Sequence, residues 1–358
     1  MIEKVRTFRP AGTATAAGGP GKDDGGRAGE ARFRPRAIPG GSAVVVFFVL
    51  VVAAFTVSVD GFATYSNVTV IASSSMVIMV ASLGQLLAVI SGGFDLSIGG
   101  VLPLAAVTFA VLTHDGTGFV PAVLLAMLVG LATGVVNGVV IGVFRINALI
   151  ATLASLSITG GMAYAVSHGL TVQVAAEAGR LGDPLWLDLP AFVWLGLVLI
   201  VLAHLVLRYT IFGRRIYMIG GNGQAALLAG VRVGLVTVAV YGVSGVLAAL
   251  AGVMAASQLL AATGGIGADT TLTSLTAVVL GGAALTGGRG GVFGAVTGVA
   301  LLGVLDNALN LQRVPSFYQQ IVVGSVLLLA VGAGRLGDLS PTRRIRSVTQ
   351  RETPREAE

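Results

Sequence analysis

From Ala37 to Phe144 the chain contains no lysine and no arginine, and only three acidic residues, Asp60, Asp95 and Asp115. So long a stretch with almost no charge cannot form the solvated surface of a water-soluble fold, where about a quarter of all residues are Asp, Glu, Lys or Arg. It can cross a lipid bilayer several times, because hydrocarbon penalises charge and accepts apolar side chains. The remainder agrees: 55% of the 358 residues are hydrophobic and 11% are charged. A soluble enzyme is excluded.

Ten apolar segments have about the 17–25 residues needed to span hydrocarbon. They lie near 43–59, 68–90, 99–113, 119–143, 148–167, 189–207, 233–256, 271–287, 291–311 and 317–334. A bilayer offers no partner to exposed backbone N–H and C=O groups, so each reads as a helix. The expected fold class is an all-α integral membrane protein with about ten transmembrane helices. Cations accumulate on the cytoplasmic side. With the N-terminus placed there, all of the 22 Lys and Arg except Arg180 and Arg313 fall in the tails or in inside loops. Removing one helix would push either the basic loop 208–232 or the C-terminal tail outside. An even number of crossings, with both termini cytoplasmic, therefore fits best. Residues 1–42 read as a disordered basic tail, 43–334 as the polytopic domain with its cytoplasmic loop at about 208–232, and 335–358 as a cytoplasmic C-terminal tail.

An internal echo occurs at an offset of 189 residues. Ala88-Val89, Gly92-Gly93, Leu96 and Gly99 match Ala277-Val278, Gly281-Gly282, Leu285 and Gly288, and Ala106-Val107-Thr108 matches Ala295-Val296-Thr297. Transporters are often built from such repeats, with the solute path where the halves meet. The helix layout runs these two copies in the same direction, whereas many transporters use inverted ones.

No catalytic constellation is visible. There is no cysteine, which removes disulfides, thiolate metal sites and cysteine nucleophiles. His114, His168 and His204 have no ligand-spaced partners. The two lysines, Lys4 and Lys22, lie in the tail, so a phosphate-binding G-x-x-x-x-G-K-[ST] loop cannot be written. No metal or cofactor is expected. Nucleic acid is not expected as a partner either, because the cations sit in tails and short loops beside apolar segments.

What remains is polar chemistry inside the bilayer. Ser91-Gly92-Gly93-Phe94-Asp95-Leu96-Ser97-Ile98-Gly99-Gly100 interrupts two apolar segments. It reads either as a tight turn, with Asp95 accepting backbone N–H bonds at the next helix start, or as irregular backbone lining a polar path. Asp95 and Asp306 are the carboxylates at membrane depth, where acids are costly and face the bundle interior. Leu280-Gly281-Gly282 through Gly287-Gly288-Arg289-Gly290-Gly291 is the C-terminal counterpart. Asn137, Asn147, Thr152, Ser155, Ser157, Gln258, Asn307 and Asn310 lie within or at the ends of apolar helices, as inter-helix hydrogen bonds or as solute contacts. The inside loop carries Gly213-Arg214-Arg215, then Gly220-Gly221-Asn222, then Gln224-Ala225-Ala226-Leu227-Leu228-Ala229-Gly230. A basic entry, a glycine turn and a short helix ending at Gly230 make a compact cytoplasmic knob. It is either a topology-setting loop or a docking helix for a soluble partner.

Taken together, five motifs resemble the permease subunits of ATP-binding-cassette importers for ribose, xylose, galactose and related monosaccharides. They are Gly93–Gly99, Arg145–Leu153, Gly220-Gly221-Asn222 with Ala225-Ala226, Ala277–Gly282 with Gly287–Gly290, and Asn307–Leu311, and the likeness runs from about Asn67 to Val331. The resemblance implies a bacterial inner (plasma) membrane protein working with two ATPase subunits, an extracytoplasmic sugar-binding protein and a second permease chain, identical or different. It implies that 213–231 is the segment that fits the ATPase, through Arg214, Arg215, Gly220, Gly221, Asn222, Gln224, Ala225, Ala226 and Gly230. Gly92, Gly93, Asp95, Ser97, Asn137, Asn147, Asn307 and Asn310 are the candidate residues of the sugar path. The chain departs from the family in having Gln224 for an acid, Leu227 for an arginine, Ala148-Leu149 for Pro-Phe, Phe94 for isoleucine, and Thr271 and Thr273 for acids. Two rivals remain: an ion-coupled secondary transporter, and a related permease for nucleosides, branched-chain amino acids or a signalling furanose.

Overall fold

The computed structural model describes residues 40–338. Of the predicted tails, 1–42 and 335–358, the residues up to 39 and beyond Asp338 lie outside the described residues, while 40–42 and 335–338 belong to helices. In chain order the elements are α1 (Gly40–Ser58), α2 (Tyr65–Ile90), α3 (Ile98–His114), α4 (Phe119–Gly142), α5 (Ala148–Val166) and β1 (Val172–Gln173). There follow a 3-10 turn (Ala176–Gly182), β2 (Pro184–Trp186), β3 (Leu189–Pro190), α6 (Ala191–Tyr209), α7 (Ile211–Gly221) and α8 (Gly223–Leu228). The chain ends on α9 (Val233–Leu259), β4 (Ala261–Ala262), α10 (Thr270–Leu280), α11 (Val292–Leu311) and α12 (Ser316–Asp338).

A helix occupies each of the ten apolar segments. Among the described residues six helices, α2, α4, α5, α6, α9 and α11, are long and apolar enough to cross a membrane. The α3 and α10 helices are shorter. The α10 helix stops at Leu280 rather than near residue 287, because Gly281 and Gly282 cap it. The all-α expectation needs one correction, since four strands of two or three residues are present among the described residues. The β1 strand pairs with β4 and β2 with β3, both antiparallel. Backbone groups in the long loop after α5 need partners, and the loop after α9 supplies some of them.

The packing centre is α9. Along it lies α4, whose Gly130, Gly134, Gly138 and Gly142 recur every fourth residue and share one face. A Cβ on Gly142 would come within 2.8 Å of the Gly234 carbonyl, and one on Gly134 would strike the carbonyl of Tyr241. In lipid no hydrophobic force draws helices together, so close backbone packing of small residues takes over. The α3 helix is buried from Ile98 to Ala110 except at Thr108, and α2 from Met79 to Ile90. The outward faces of α4 and α6, with Leu124, Leu128, Val198 and Leu202, remain exposed as lipid-facing surfaces would.

The loops sort into two ends of this bundle. At one, Gly288 N donates to Ile90 O (2.8 Å) and Tyr217 Oη to Gly290 O (2.9 Å). At the other, Tyr65 Oη donates to Leu187 O (2.7 Å), Val174 N to Leu260 O (3.0 Å), and Asn67 and Asn307 exchange amide bonds at 2.8 and 2.9 Å.

Candidate functional site

The break between α2 and α3 begins as a Schellman cap. Gly92 N donates to Val89 O and Gly93 N to Ala88 O, with Gly92 at φ +87°. The following backbone leaves helical geometry, and side chains from α4, α5, α9 and α10 bond its carbonyls and its own side chains. Tyr241 of α9 donates to Phe94 O at 3.1 Å, and Thr271 of α10 to Leu96 O at 3.2 Å. Ser97 N donates to one oxygen of Asp95 at 3.1 Å, and Ser244 Oγ of α9 to the other at 2.6 Å. Ser97 Oγ also donates to Asp95, and Asn137 Nδ2 of α4 donates to Ser97 Oγ at 2.9 Å. Thr152 of α5 lies at the margin of this network, 3.5 Å from Phe94 O. Asp95 is 1% exposed and Ser244 fully buried. Buried polar groups need this satisfaction, since an unpaired one costs about 1–3 kcal/mol. Of the two sequence readings the turn is the better description, although Asp95 engages Ser97 ahead of α3 rather than capping its first turn.

Below this break sits a junction made almost wholly of glycine backbone. A Cβ on Gly220 would collide with Ile90 O and Gly288 N. On Gly287 it would lie 2.7 Å from the Cα of Gly92, and on Gly288 it would lie 2.8 Å from Gly221. Three segments thus touch main chain to main chain: the end of α2, the end of α7, and the loop between α10 and α11. Tyr217 closes the edge through its bond to Gly290 O. Burial holds this phenol above its ordinary pKa, with Arg208 pulling the other way, so it stays a donor near neutral pH.

The knob itself is two helices. Thr210 caps α7 by accepting from Gly213 N at 3.1 Å, and Asn222 caps α8 by accepting from Ala225 N at 3.0 Å. Gly220-Gly221 is therefore the last turn of α7, not the expected glycine turn, and the helix breaks at Asn222, which is extended. Gly230, at φ +80°, closes α8 as foreseen. Arg214, Arg215, Gly221, Gln224 and Ala225 are exposed, while Ala226 is buried. Leu227 is 56% and Leu228 90% exposed.

At the opposite end of the bundle a cavity of about 530 Å³ opens between α2, α10, α11 and α12. Its wall includes Ser75, Asp269, Asp306, Asn307, Asn310 and Gln319. Asn310 Nδ2 donates to Asp306 at 3.2 Å, and Gln319 Nε2 to Asn310 at 2.8 Å.

The predicted path residues therefore separate. Asn307 and Asn310 line the cavity. Asp95, Ser97 and Asn137 form the buried network, and Gly92 and Gly93 shape the turn above it. Asn147 is exposed and caps α5, accepting from Leu149 N at 2.9 Å. Sequence reasoning missed Ser244 and Tyr241, although the criterion that found Asn137, a polar side chain in an apolar segment, selects both. Ser75 and Gln319 carried the same signal. Their convergence from distant helices did not.

Comparison with known proteins gives a family profile, described as "Branched-chain amino acid transport system / permease component", that matches residues 67–331. The L-arabinose transport system permease protein AraH of Escherichia coli (strain K12) is 37% identical over 289 residues, 80% of this chain and 88% of that one. The ribose import permease protein RbsC of Bacillus subtilis (strain 168) is 38% identical over 253 residues, 70% and 79% of the two chains. The autoinducer 2 import system permease protein LsrC of Yersinia enterocolitica is 32% identical over 270 residues, 75% of each. No solved structure matches.

Proposed function

This chain belongs to the branched-chain amino acid transport system permease family, and from that premise we propose that it is the membrane subunit of an ATP-binding-cassette importer moving a monosaccharide into the cytoplasm. Relatives named for L-arabinose and ribose support a small sugar as the solute. In this reading ten helices cross a bacterial plasma membrane with both termini inside. ATP is hydrolysed by separate ATPase subunits. An extracytoplasmic binding protein delivers the sugar, and a second permease chain completes the complex.

One observation carries the proposal. The α7–α8 knob exposes Leu227 and Leu228, and within it Gly220, in the last turn of α7, lies in backbone contact with both helix breaks. At Gly220 the knob meets Ile90 and Gly288 main chain to main chain, with no side chain between them. That suits a passive conduit driven from its inner surface. Asp95 holds the break that moves; held by Ser97 and Ser244, it acts as an internal clamp.

The test is uptake of labelled L-arabinose and D-ribose into proteoliposomes holding the full importer. A catalytically dead ATPase is expected to abolish uptake, and deleting Gly220–Gly230 to release the ATPase while the permease stays inserted. Uptake that persists with the dead ATPase and follows a proton gradient would replace this reading with the ion-coupled one.

A further inference from the structure

A second cleft, of about 390 Å³, lies at the knob end of the bundle between α6, α7 and the start of α11. His204 and Arg208 of α6, Arg214 and Tyr217 of α7 and Phe293 of α11 line it, and among the described residues no acidic side chain does. The segments that build the cleft supply no acid either. From Leu189 to Ala268, and again from Thr270 to Leu305, the chain has no Asp or Glu. Asp269 and Asp306, which bound the second stretch, line the cavity at the opposite end. Two guanidinium groups sharing a cleft without a carboxylate repel each other until an anion joins them.

The approach to this cleft is apolar and aromatic. Leu197, Val201, His204 and Arg208 follow one another on α6 at intervals of four, three and four, so they share one face. Leu197 and Val201 are exposed. Phe293, 74% exposed, lies edge-on to His204 with ring centroids 4.9 Å apart, and Tyr209 meets the same imidazole at 6.5 Å. Rings so placed, between an apolar stripe and arginines, match the boundary between hydrocarbon and headgroups. A soluble anion gains nothing from the stripe, whereas acyl chains do.

We propose that this cleft holds the phosphate of an anionic phospholipid from the cytoplasmic leaflet, with the acyl chains along the Leu197–Val201 face of α6. Arg208 and Arg214 pair with the phosphate oxygens, which a guanidinium fork matches. The first turn of α11 adds backbone N–H groups, since its N-cap Gly291 has no side chain to satisfy them. The arginines set the sign of the site and the helix end adds to it. A lipid seated there bridges α6, α7 and α11 across the edge that Tyr217 closes on Gly290. The site needs only a bilayer, so it stands apart from the importer reading.

The test is native mass spectrometry of the full chain, delipidated in detergent and titrated with phosphatidylglycerol or with phosphatidylcholine of the same acyl chains. One phosphatidylglycerol should bind about tenfold or more tighter than phosphatidylcholine, and inorganic phosphate should not displace it. Arg208→Gln with Arg214→Gln should erase that preference. Arg145→Gln, which alters an exposed arginine outside the cleft, should leave it intact. Arg208 and Arg214 are exposed as well, so the double variant should unfold at the parent's temperature. Should it not, each single variant decides the matter, with about threefold of the preference expected to go. Displacement by phosphate would make the ligand a soluble anion and overturn the lipid assignment. A preference that survives the double variant would spread binding over the whole basic face and end the proposal. The same titration of the assembled importer should retain the lipid. Its loss on assembly would assign the two arginines to the ATPase and overturn the proposal equally.

Discussion

The two glycine-capped helix ends, at α2 and α10, start alike and are held in opposite ways. Gly92 and Gly282 occupy the same position in the same cap, at φ +87° and +88°, and each cap makes the same pair of backbone bonds. Beyond that point the first break is a short span fixed by side chains, with Ser244, Tyr241, Asn137 and Thr271 reaching in from other helices. The second, Gly281–Gly291, is longer and is fixed by the absence of side chains. Gly287 and Gly288 press on Gly92 and Gly221, and Gly281 packs against the Gly294 backbone. A clamp made of side chains fails when atoms are removed. A seat made of glycine fails when atoms are added.

The largest effect is expected from addition. Gly220→Ala places a methyl against Ile90 O and Gly288 N, where backbone cannot yield, and should cost about 3 kcal/mol or more. Its neighbour Gly221 meets nothing within 4 Å. Gly221→Ala should be neutral or stabilising by up to ~1 kcal/mol, because alanine restricts the unfolded chain. Thermal unfolding of the two variants in detergent, beside ATP-driven uptake, checks the pair. Equal loss in both would show that the loop merely dislikes substitution and that no tight junction exists.

Removal comes next. Asp95→Leu leaves Ser97 N–H, Ser97 Oγ and Ser244 Oγ without their shared acceptor, at a cost of roughly 3 kcal/mol. In the second break the exposed side chain of Thr286 makes no hydrogen bond among the described residues, so Thr286→Ala should fall within about 0.5 kcal/mol of the parent. A lowered unfolding midpoint for the first and none for the second is the expected outcome. If Asp95→Leu were as stable as the parent while transport failed, Asp95 would be a solute or ion ligand and not a clamp.

How much of this was legible in the sequence follows from the same contrast. Uncharged length placed a helix in every apolar segment, because the bilayer leaves backbone no other solution. The caps were legible too, since only glycine sits easily at positive φ. The letter match of the echo and the geometry of the two caps differ by one residue. Matching letters pairs Gly92-Gly93 with Gly281-Gly282, whereas the cap geometry pairs Gly92 with Gly282. Two adjacent glycines look alike in sequence, and only one of them carries the left-handed turn. The clamp was half visible: Asp95, Ser97 and Asn137 were singled out, but Ser244 lies 149 positions from Asp95, and no local pattern reports that meeting. The glycine seat was not visible at all. Gly220-Gly221 reads as a turn because glycine weakens helices, and only tertiary contact with Ile90 explains why α7 keeps Gly220.

Tyr217 offers the smallest predicted effect and the finest test of the seat. Its hydroxyl is the one side-chain donor reaching the second break from the knob among the described residues, bonding Gly290 O at 2.9 Å. If glycine contact carries the load, losing this bond should matter little to stability. Tyr217→Phe keeps the ring and removes one neutral hydrogen bond, so about 1 kcal/mol is the expected cost. A bond at the edge of a moving joint would show itself differently, as ATP hydrolysis that continues while uptake per ATP declines. The ratio of sugar imported to ATP hydrolysed in proteoliposomes distinguishes the cases. An unchanged ratio leaves the seat to glycine alone. A lower one gives the second break a side-chain tether after all, and makes it more like the first than its backbone suggests.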